Sequence, residues 1–223
     1  MKSMPRLPIG FVTGLAAEAR IAMRFGGRVE AGGGTPAGAG LVARRLIQQG
    51  VSGLVSFGLA GGLDPALRPG AIVVPRQVAG DGIVYDADAG LAGRFGGFTA
   101  DRLVAGTAIV AHVAQKTALF AATGASAVDL ESGMVARLAR DAGVPFAVVR
   151  AICDPAERAL PPAALVPLRA GGRVDYVRVL GAVIGQPWQI LDLLAVGRDA
   201  MAGQKALMAI PVLDTSGSVH GLG

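Results

Sequence analysis

The sequence predicts an α/β domain built on a largely parallel sheet. Short apolar stretches of strand character alternate with helix-like stretches along most of the chain. Glycine-rich turns follow several of the apolar stretches. Two strand-like segments, Ala127–Leu130 and Phe146–Cys153, flank one helical run and lead into Glu131 and Asp154. In α/β sheets the carboxyl ends of strands are where ligands bind, so both carboxylates are placed to face one pocket.

Taken in order, Ile9–Thr13 reads as a buried strand closed by Gly14, and residues 17–24 as a short helix with Glu18 near its start. Arg28–Ala31 reads as a second strand. Gly32-Gly33-Gly34-Thr35-Pro36 leads into a helical run ending at Gln49, with Thr35 suited to the N-cap and Pro36 to the first helical position. Gly53–Phe57 is a strand, followed by a loop Gly58-Leu59-Ala60-Gly61-Gly62-Leu63, and Ala71–Val74 is another strand. Residues 80–102 read as partly loop. Leu103–Ala111 reads as strand and Gln115–Ala122 as helix; Ala127–Leu130 is strand, Ser132–Ala142 helix and Phe146–Cys153 strand. Beyond Pro161-Pro162 the chain reads as helical, most clearly over Val174–Ile184 and Trp188–Met208.

A chain of 223 residues fits one domain, here residues 1–210, with 211–223 expected to be a flexible tail. It is 52% hydrophobic with 34 glycines and only 4% aromatics, which suits close helix–sheet packing. Mean hydropathy is positive, yet no apolar run reaches the roughly 18 residues of a spanning helix. The first apolar stretch is broken by Thr13, Gly14 and Glu18, unlike a signal peptide. The single cysteine, Cys153, excludes an internal disulfide, and no Cys/His cluster suggests a metal. The cytoplasm is the expected place. Net charge is +5. The arginines are scattered, with no aromatic interleaving, so nucleic acid is not expected as a partner. A basic surface resting at the inner face of an anionic membrane is the better match.

Two carboxylates in different surroundings can divide the work of one reaction. Asp154 ends its strand in apolar surroundings, which would raise its pKa and suit a general acid. Asp before Pro155 is also an ordinary turn signal. Glu131 can hold polar hydroxyls and favour a cationic transition state, and it equally suits the start of a helix. Gly32-Gly33-Gly34-Thr35 precedes a helix, where exposed N–H groups form an anion site or simply a tight turn.

These residues fall into a known arrangement. Gly58-Leu59-Ala60-Gly61-Gly62-Leu63 with Leu67-Arg68-Pro69-Gly70-Ala71-Ile72-Val73-Val74-Pro75 resembles the glycine-rich loop and following strand of the purine nucleoside phosphorylase and nucleosidase superfamily. Val128-Asp129-Leu130-Glu131-Ser132 resembles its ribose-binding segment. Val149-Arg150-Ala151-Ile152-Cys153-Asp154 resembles its purine-protonating segment. The three occur in the family's order across residues 9–155. Within the superfamily, Thr13-Gly14-Leu15-Ala16-Ala17-Glu18-Ala19-Arg20, the short link to Gly32, Cys153-Asp154-Pro155-Ala156 and Leu160-Pro161-Pro162-Ala163-Ala164-Leu165 resemble the hopanoid-associated phosphorylases.

The resemblance implies a three-layer αβα fold with a central mixed, largely parallel sheet. It implies cleavage of the adenine–ribose bond of a hydrophobic adenosyl substrate, adenosylhopane, in hopanoid biosynthesis. Asp154 would protonate the purine at N7, Glu131 would bind the ribose hydroxyls, and Glu18 would activate water. Leu130, Ala60, Gly61 and Gly62 would line the substrate. Gly33, Gly34 and Thr35 would bind phosphate if phosphate is the co-substrate; the residues leave water and phosphate both open. Ser56 stands where hexameric relatives carry a phosphate-binding arginine, and Arg44, Arg45, Arg68 and Arg150 are the candidates to replace it. His112 is a weak candidate for the base. No metal or redox cofactor is implied, and a homo-oligomer is expected. The short link after Glu18 would open the sugar's 5′ side to a lipid tail. The apolar C-terminal run, with Trp188, Ile190, Leu191, Leu193, Leu194 and Val196, reads as core, subunit interface or a face on a membrane. Cys153 reads as a packing residue. The rival readings are a soluble purine nucleoside or methylthioadenosine as substrate, and a non-catalytic nucleoside- or lipid-binding protein.

Overall fold

The computed structural model describes residues 7–165 and 190–212. Nine strands form one sheet: β1 (Gly10–Thr13), β2 (Arg28–Ala31), β3 (Leu54–Gly62), β4 (Ile72–Val73), β5 (Pro75–Gly80), β6 (Ile83–Asp86), β7 (Ala100–Ala105), β8 (Ala127–Asp129) and β9 (Phe146–Asp154). The main path runs β2-β1-β3-β8-β7-β5-β6, and β9 lies between β3 and β4. Pairings of β1 with β2 and β3, of β3 with β9, and of β7 with β5 and β8 are parallel. Those of β3 with β8, β4 with β9 and β5 with β6 are antiparallel. The sheet is therefore mixed and largely parallel.

Strand alternation sets the layers. Along β9, Val148 and Ile152 join the core that α2 (Pro36–Gln48) and α5 (Ser132–Ala142) cover through Leu46, Val135 and Leu138. Ala147, Val149 and Ala151 join the opposite core, with Ile21 of α1 (Ala16–Ala22), Leu91 of α3 (Ala89–Gly93) and Leu207 of α6 (Ile190–Ala209). Phe11, Phe25, Phe57 and Phe95 cluster on that second side. Helices cover both faces, giving three αβα layers. α4 (Val113–Thr123) precedes β8. No helix among the described residues is long and apolar enough to cross a membrane.

Several expected boundaries move. Gly58–Gly62 is not a loop: β3 runs on through it, paired with Arg150–Asp154 and then with β8. Its glycines answer to close approaches. A Cβ at Gly58 would lie 2.6 Å from the Glu18 carboxyl and 2.7 Å from Arg150 Nη1. We expect Gly58→Ala to cost about 2 kcal/mol by overpacking, read as a lower midpoint in urea, and to disturb both side chains. Residues 80–102 hold more order than expected. β5 and β6 form a hairpin whose turn residues, Asp81 and Gly82, both have positive φ (51° and 73°), as a type I′ turn requires. Asp88 caps α3 by accepting the Leu91 N–H at 2.6 Å. β7 ends at Ala105, so Gly106–Ala111 is loop. Thr35 caps α2 as expected, accepting the Gly38 N–H at 3.1 Å. Val174–Ile184, Trp188 and the tail from 213 onward lie outside the described residues.

Candidate active site

The carboxyl ends of β1, β3, β8 and β9 meet the loop 106–111 around a cleft of about 300 Å³, a size typical of small-molecule sites. Its walls include Leu15, Leu59, Ile109, Val110, Val128 and Leu160, and four acidic residues line it: Glu18, Asp129, Glu131 and Asp154. Ala60, Gly61, Leu130 and Gly34 also line it. Gly62 sits behind the wall, against Ile152 and Pro155. Gly33 and Thr35 do not line it: the Gly33 N–H donates to the Gly14 carbonyl at 3.1 Å, and Thr35 is committed to its cap. His112 is exposed at the start of α4 and outside the cleft.

Glu18 stands three residues beyond the N-cap of α1, from where a glutamate can reach back to free backbone donors. Oε2 accepts the N–H groups of Gly14 and Leu15 at 2.9 and 2.7 Å, and Oε1 accepts that of Leu59 at 2.8 Å. The carboxyl is thereby fixed between β1 and β3. Burial pushes its pKa up, against the pull of Arg150 and these donors.

Arg150 organises the next group. It occupies a β9 position directed at α5 and is 1% exposed. Nε donates to Asp129 Oδ2 at 2.6 Å. Nη2 donates to Ser56 Oγ at 2.7 Å, and to Glu131 Oε2 and Ser132 Oγ at 3.3 Å each. Asp129 Oδ1 accepts the N–H groups of Glu131 and Ser132, and its Oδ2 accepts the Ser132 hydroxyl. One guanidinium thus serves a cluster of buried carboxyls. Of the four candidate arginines, only Arg150 is at the site. Arg45 pairs with Glu30 and Arg68 with Glu157 at the surface, and Arg44 is exposed on α2.

Glu131 is the end member. Its pKa is pushed up to about 7 by burial, opposed by Arg150 and reinforced by Glu18 and Asp129. Its Oε1 is buried with no partner in the protein. Both oxygens would lie 3.1 Å from a Cβ at Gly14, so a glycine there leaves them room. A carboxyl whose folded pKa lies above its unfolded value stabilises the fold below the unfolded value, near 4.5, and loses that as pH rises through 7. The ligand-free protein should therefore melt lower at pH 8 than at pH 5. Glu131→Gln should remove roughly 3 kcal/mol of that loss, checked by melting both proteins across this range.

Asp154 departs from the expectation of apolar surroundings. Its Oδ2 is 2.7 Å from Lys116 Nζ, and Lys116 is fully buried. Nζ also donates to the carbonyls of Pro155 and Arg158 at 2.9 Å each. Burial raises the Asp154 pKa, while Lys116, through its hydrogen bond and its charge, holds it down. Oδ1 is buried and has no protein partner. Cys153 also lines the cleft, with its Cβ beside Gly203 of α6 and its Sγ 3.6 Å from the Ala60 carbonyl, and burial pushes its thiol up to about 12. Lys116 escaped the sequence reading altogether, while Ser56, Asp129 and Ser132 were named there without the role around Arg150 that the structure gives them.

The site therefore offers two free carboxyl oxygens, Glu131 Oε1 and Asp154 Oδ1, in one cleft with a backbone-anchored Glu18. This arrangement can grip hydroxyls, donate a proton and accept one.

The family model described as the phosphorylase superfamily matches residues 11–103 and 96–166. A search of curated proteins finds no match. Among solved structures, the chain is similar to the 5′-methylthioadenosine/S-adenosylhomocysteine nucleosidase of Helicobacter pylori bound to butyl-thio-DADMe-Immucillin-A, at 16% identity and a TM-score of 0.61, over 93% of this chain and 98% of that one. It is similar to the S-adenosylhomocysteine nucleosidase of Streptococcus pyogenes in complex with 5-methylthiotubericidin, at 17% identity and a TM-score of 0.61, over 94% and 100%. It is likewise similar to the futalosine hydrolase of Helicobacter pylori, at 17% identity and a TM-score of 0.63, over 92% and 97%.

Proposed function

This chain belongs to the phosphorylase superfamily, and from that premise we propose that it hydrolyses the adenine–ribose bond of an adenosyl substrate carrying a hydrophobic 5′ group. The observation that carries this is the pair of unpartnered, buried oxygens on Glu131 and Asp154 in one cleft. Buried polar atoms are normally satisfied, so these two await a ligand.

Ribose hydroxyls donate to Glu131, which then needs no solvent of its own. Asp154 gives its proton to purine N7 as the C1′–N9 bond breaks and the bonding pair leaves with the base. Lys116 stabilises the carboxylate left behind. Negative charge at Glu131 favours the cationic ribosyl group. Glu18 takes a proton from water as the water oxygen bonds to C1′. The products are adenine and the free ribosyl compound.

Water is favoured over phosphate by the charges. Four acidic residues line the cleft, and the cations beside it, Arg150 and Lys116, are already paired with three of them. The Gly33 N–H and the Thr35 hydroxyl are engaged within the protein. A phosphate dianion there would meet repulsion from the carboxyl groups.

Adenosylhopane is the substrate we favour, on the likeness of residues 13–20 and 153–165 to the hopanoid-associated phosphorylases. The cleft is sized for the nucleoside, so a polycyclic tail would have to emerge from its mouth. Comparing adenine release from adenosine, 5′-methylthioadenosine and a 5′-long-chain adenosine tests this. We expect the highest kcat/KM for the long chain. A clear preference for methylthioadenosine would replace the lipid substrate with a soluble one.

A further inference from the structure

α6 carries a second apolar face that nothing among the described residues covers. Leu191, Leu194, Arg198, Met201, Lys205 and Met208 recur at steps of three and four residues and so form one stripe along the helix. Leu191 is 76% exposed, Leu194 65% and Met201 71%. Arg198 and Lys205 are exposed between them, Arg198 with its Nε 4.0 Å from Asp199 Oδ1 and its side chain 77% exposed. The opposite face is fully engaged: Leu207 is buried in the core, Gly203 lies against Leu59 and Cys153, and Asp199 is 2.7 Å from Arg158. A helix apolar on two sides needs cover on both.

The stripe continues beyond the helix. Arg24 donates to the Met208 carbonyl, which places its side chain beside the helix's last turn, and the adjacent Met23 is exposed. Arg20 is exposed on the neighbouring turn of α1. The helix's exposed carboxylate, Asp192, stands at its first turn, away from these cations.

We propose that this stripe docks the protein on an anionic lipid surface. Leucine and methionine side chains enter the boundary between headgroups and acyl chains, and Arg198 and Lys205 reach anionic headgroups from between them. A second copy of the same stripe fits poorly, because it would bury Arg198 and Lys205 in an apolar seam without a matching row of carboxylates. A lipid surface supplies the anions at the depth where those side chains end. This docking stands apart from the reaction proposed above and holds whatever the substrate.

The test is flotation of the full chain with vesicles of phosphatidylcholine alone and of phosphatidylcholine mixed equally with phosphatidylglycerol. We expect flotation with the mixed vesicles only, weakening as salt rises. Arg198→Gln together with Lys205→Gln should bind them about thirtyfold more weakly. Leu194→Ser together with Met201→Ser should bind more than about tenfold more weakly. Both variants should keep the parent melting temperature, since the changed side chains are exposed. Absence of flotation with the mixed vesicles, or undiminished binding by both variants, would overturn the proposal. So would a smaller assembly of both variants on sizing, which would make the stripe a contact between copies.

Discussion

Asp154→Asn is expected to lower kcat by about a thousandfold while KM changes only a few-fold. The amide keeps the shape and can still hydrogen-bond, but it has no proton to transfer as the purine leaves. The effect falls on kcat because the interaction matters most once charge has built up on the base. Lys116 gives this prediction a second readout. Its ammonium, 2.7 Å from Asp154 Oδ2, favours the ionised acid and so makes the proton easier to give. In the parent protein activity should fall as pH rises and Asp154 loses its proton. Lys116→Met should move that alkaline limb to higher pH. An Asp154→Asn protein with nearly full turnover would remove Asp154 from the chemistry.

Arg150→Met is expected to be the most damaging change to the fold. It removes the cation from a site where Asp129 and Glu131 are within reach of its nitrogens and Glu18 lies close enough to feel its charge. Breaking a buried ion pair from one side costs about 3–5 kcal/mol, or a fall in Tm of roughly 10 °C for a chain of this size. The loss should depend on pH in a definite direction. Without Arg150 the Glu131 and Glu18 carboxyls rise further, so the variant should be weakest at pH 8 and recover as those groups take up protons toward pH 5. A melt at the two pH values checks both the size and the sign.

Much of the frame was legible because local and global signals agree. Thr35-Pro36 marks the start of α2 by its capping chemistry. α5 spans Ser132–Ala142 as the pattern indicated, and the apolar run of β9 ends on Asp154 as expected. What escaped has physical reasons. A lysine inside an amphipathic helix normally reads as a solvated face, yet Lys116 is the buried position of α4 and points at Asp154. Asp129 and Arg150 sat inside the quoted motifs, but their pairing joins residues 21 positions apart on two strands that each pair with β3. The β5–β6 hairpin carried a turn signal in Asp81-Gly82, but small residues beside it, Ala79 and Gly80, weakened the strand pattern. Gly58–Gly62 read as a loop because glycines usually break strands. Here glycine is needed at Gly58 because Glu18 and Arg150 close over the strand.

If Glu18, Glu131 and Asp154 together hydrolyse an adenosyl bond, the mass of the ribosyl product released with adenine from a 5′-hydrophobic adenosyl substrate, with and without added phosphate, decides it. Equal rates in both cases are expected, with a product that has gained the elements of water. A requirement for phosphate, with a ribosyl 1-phosphate as product, would rule out hydrolysis.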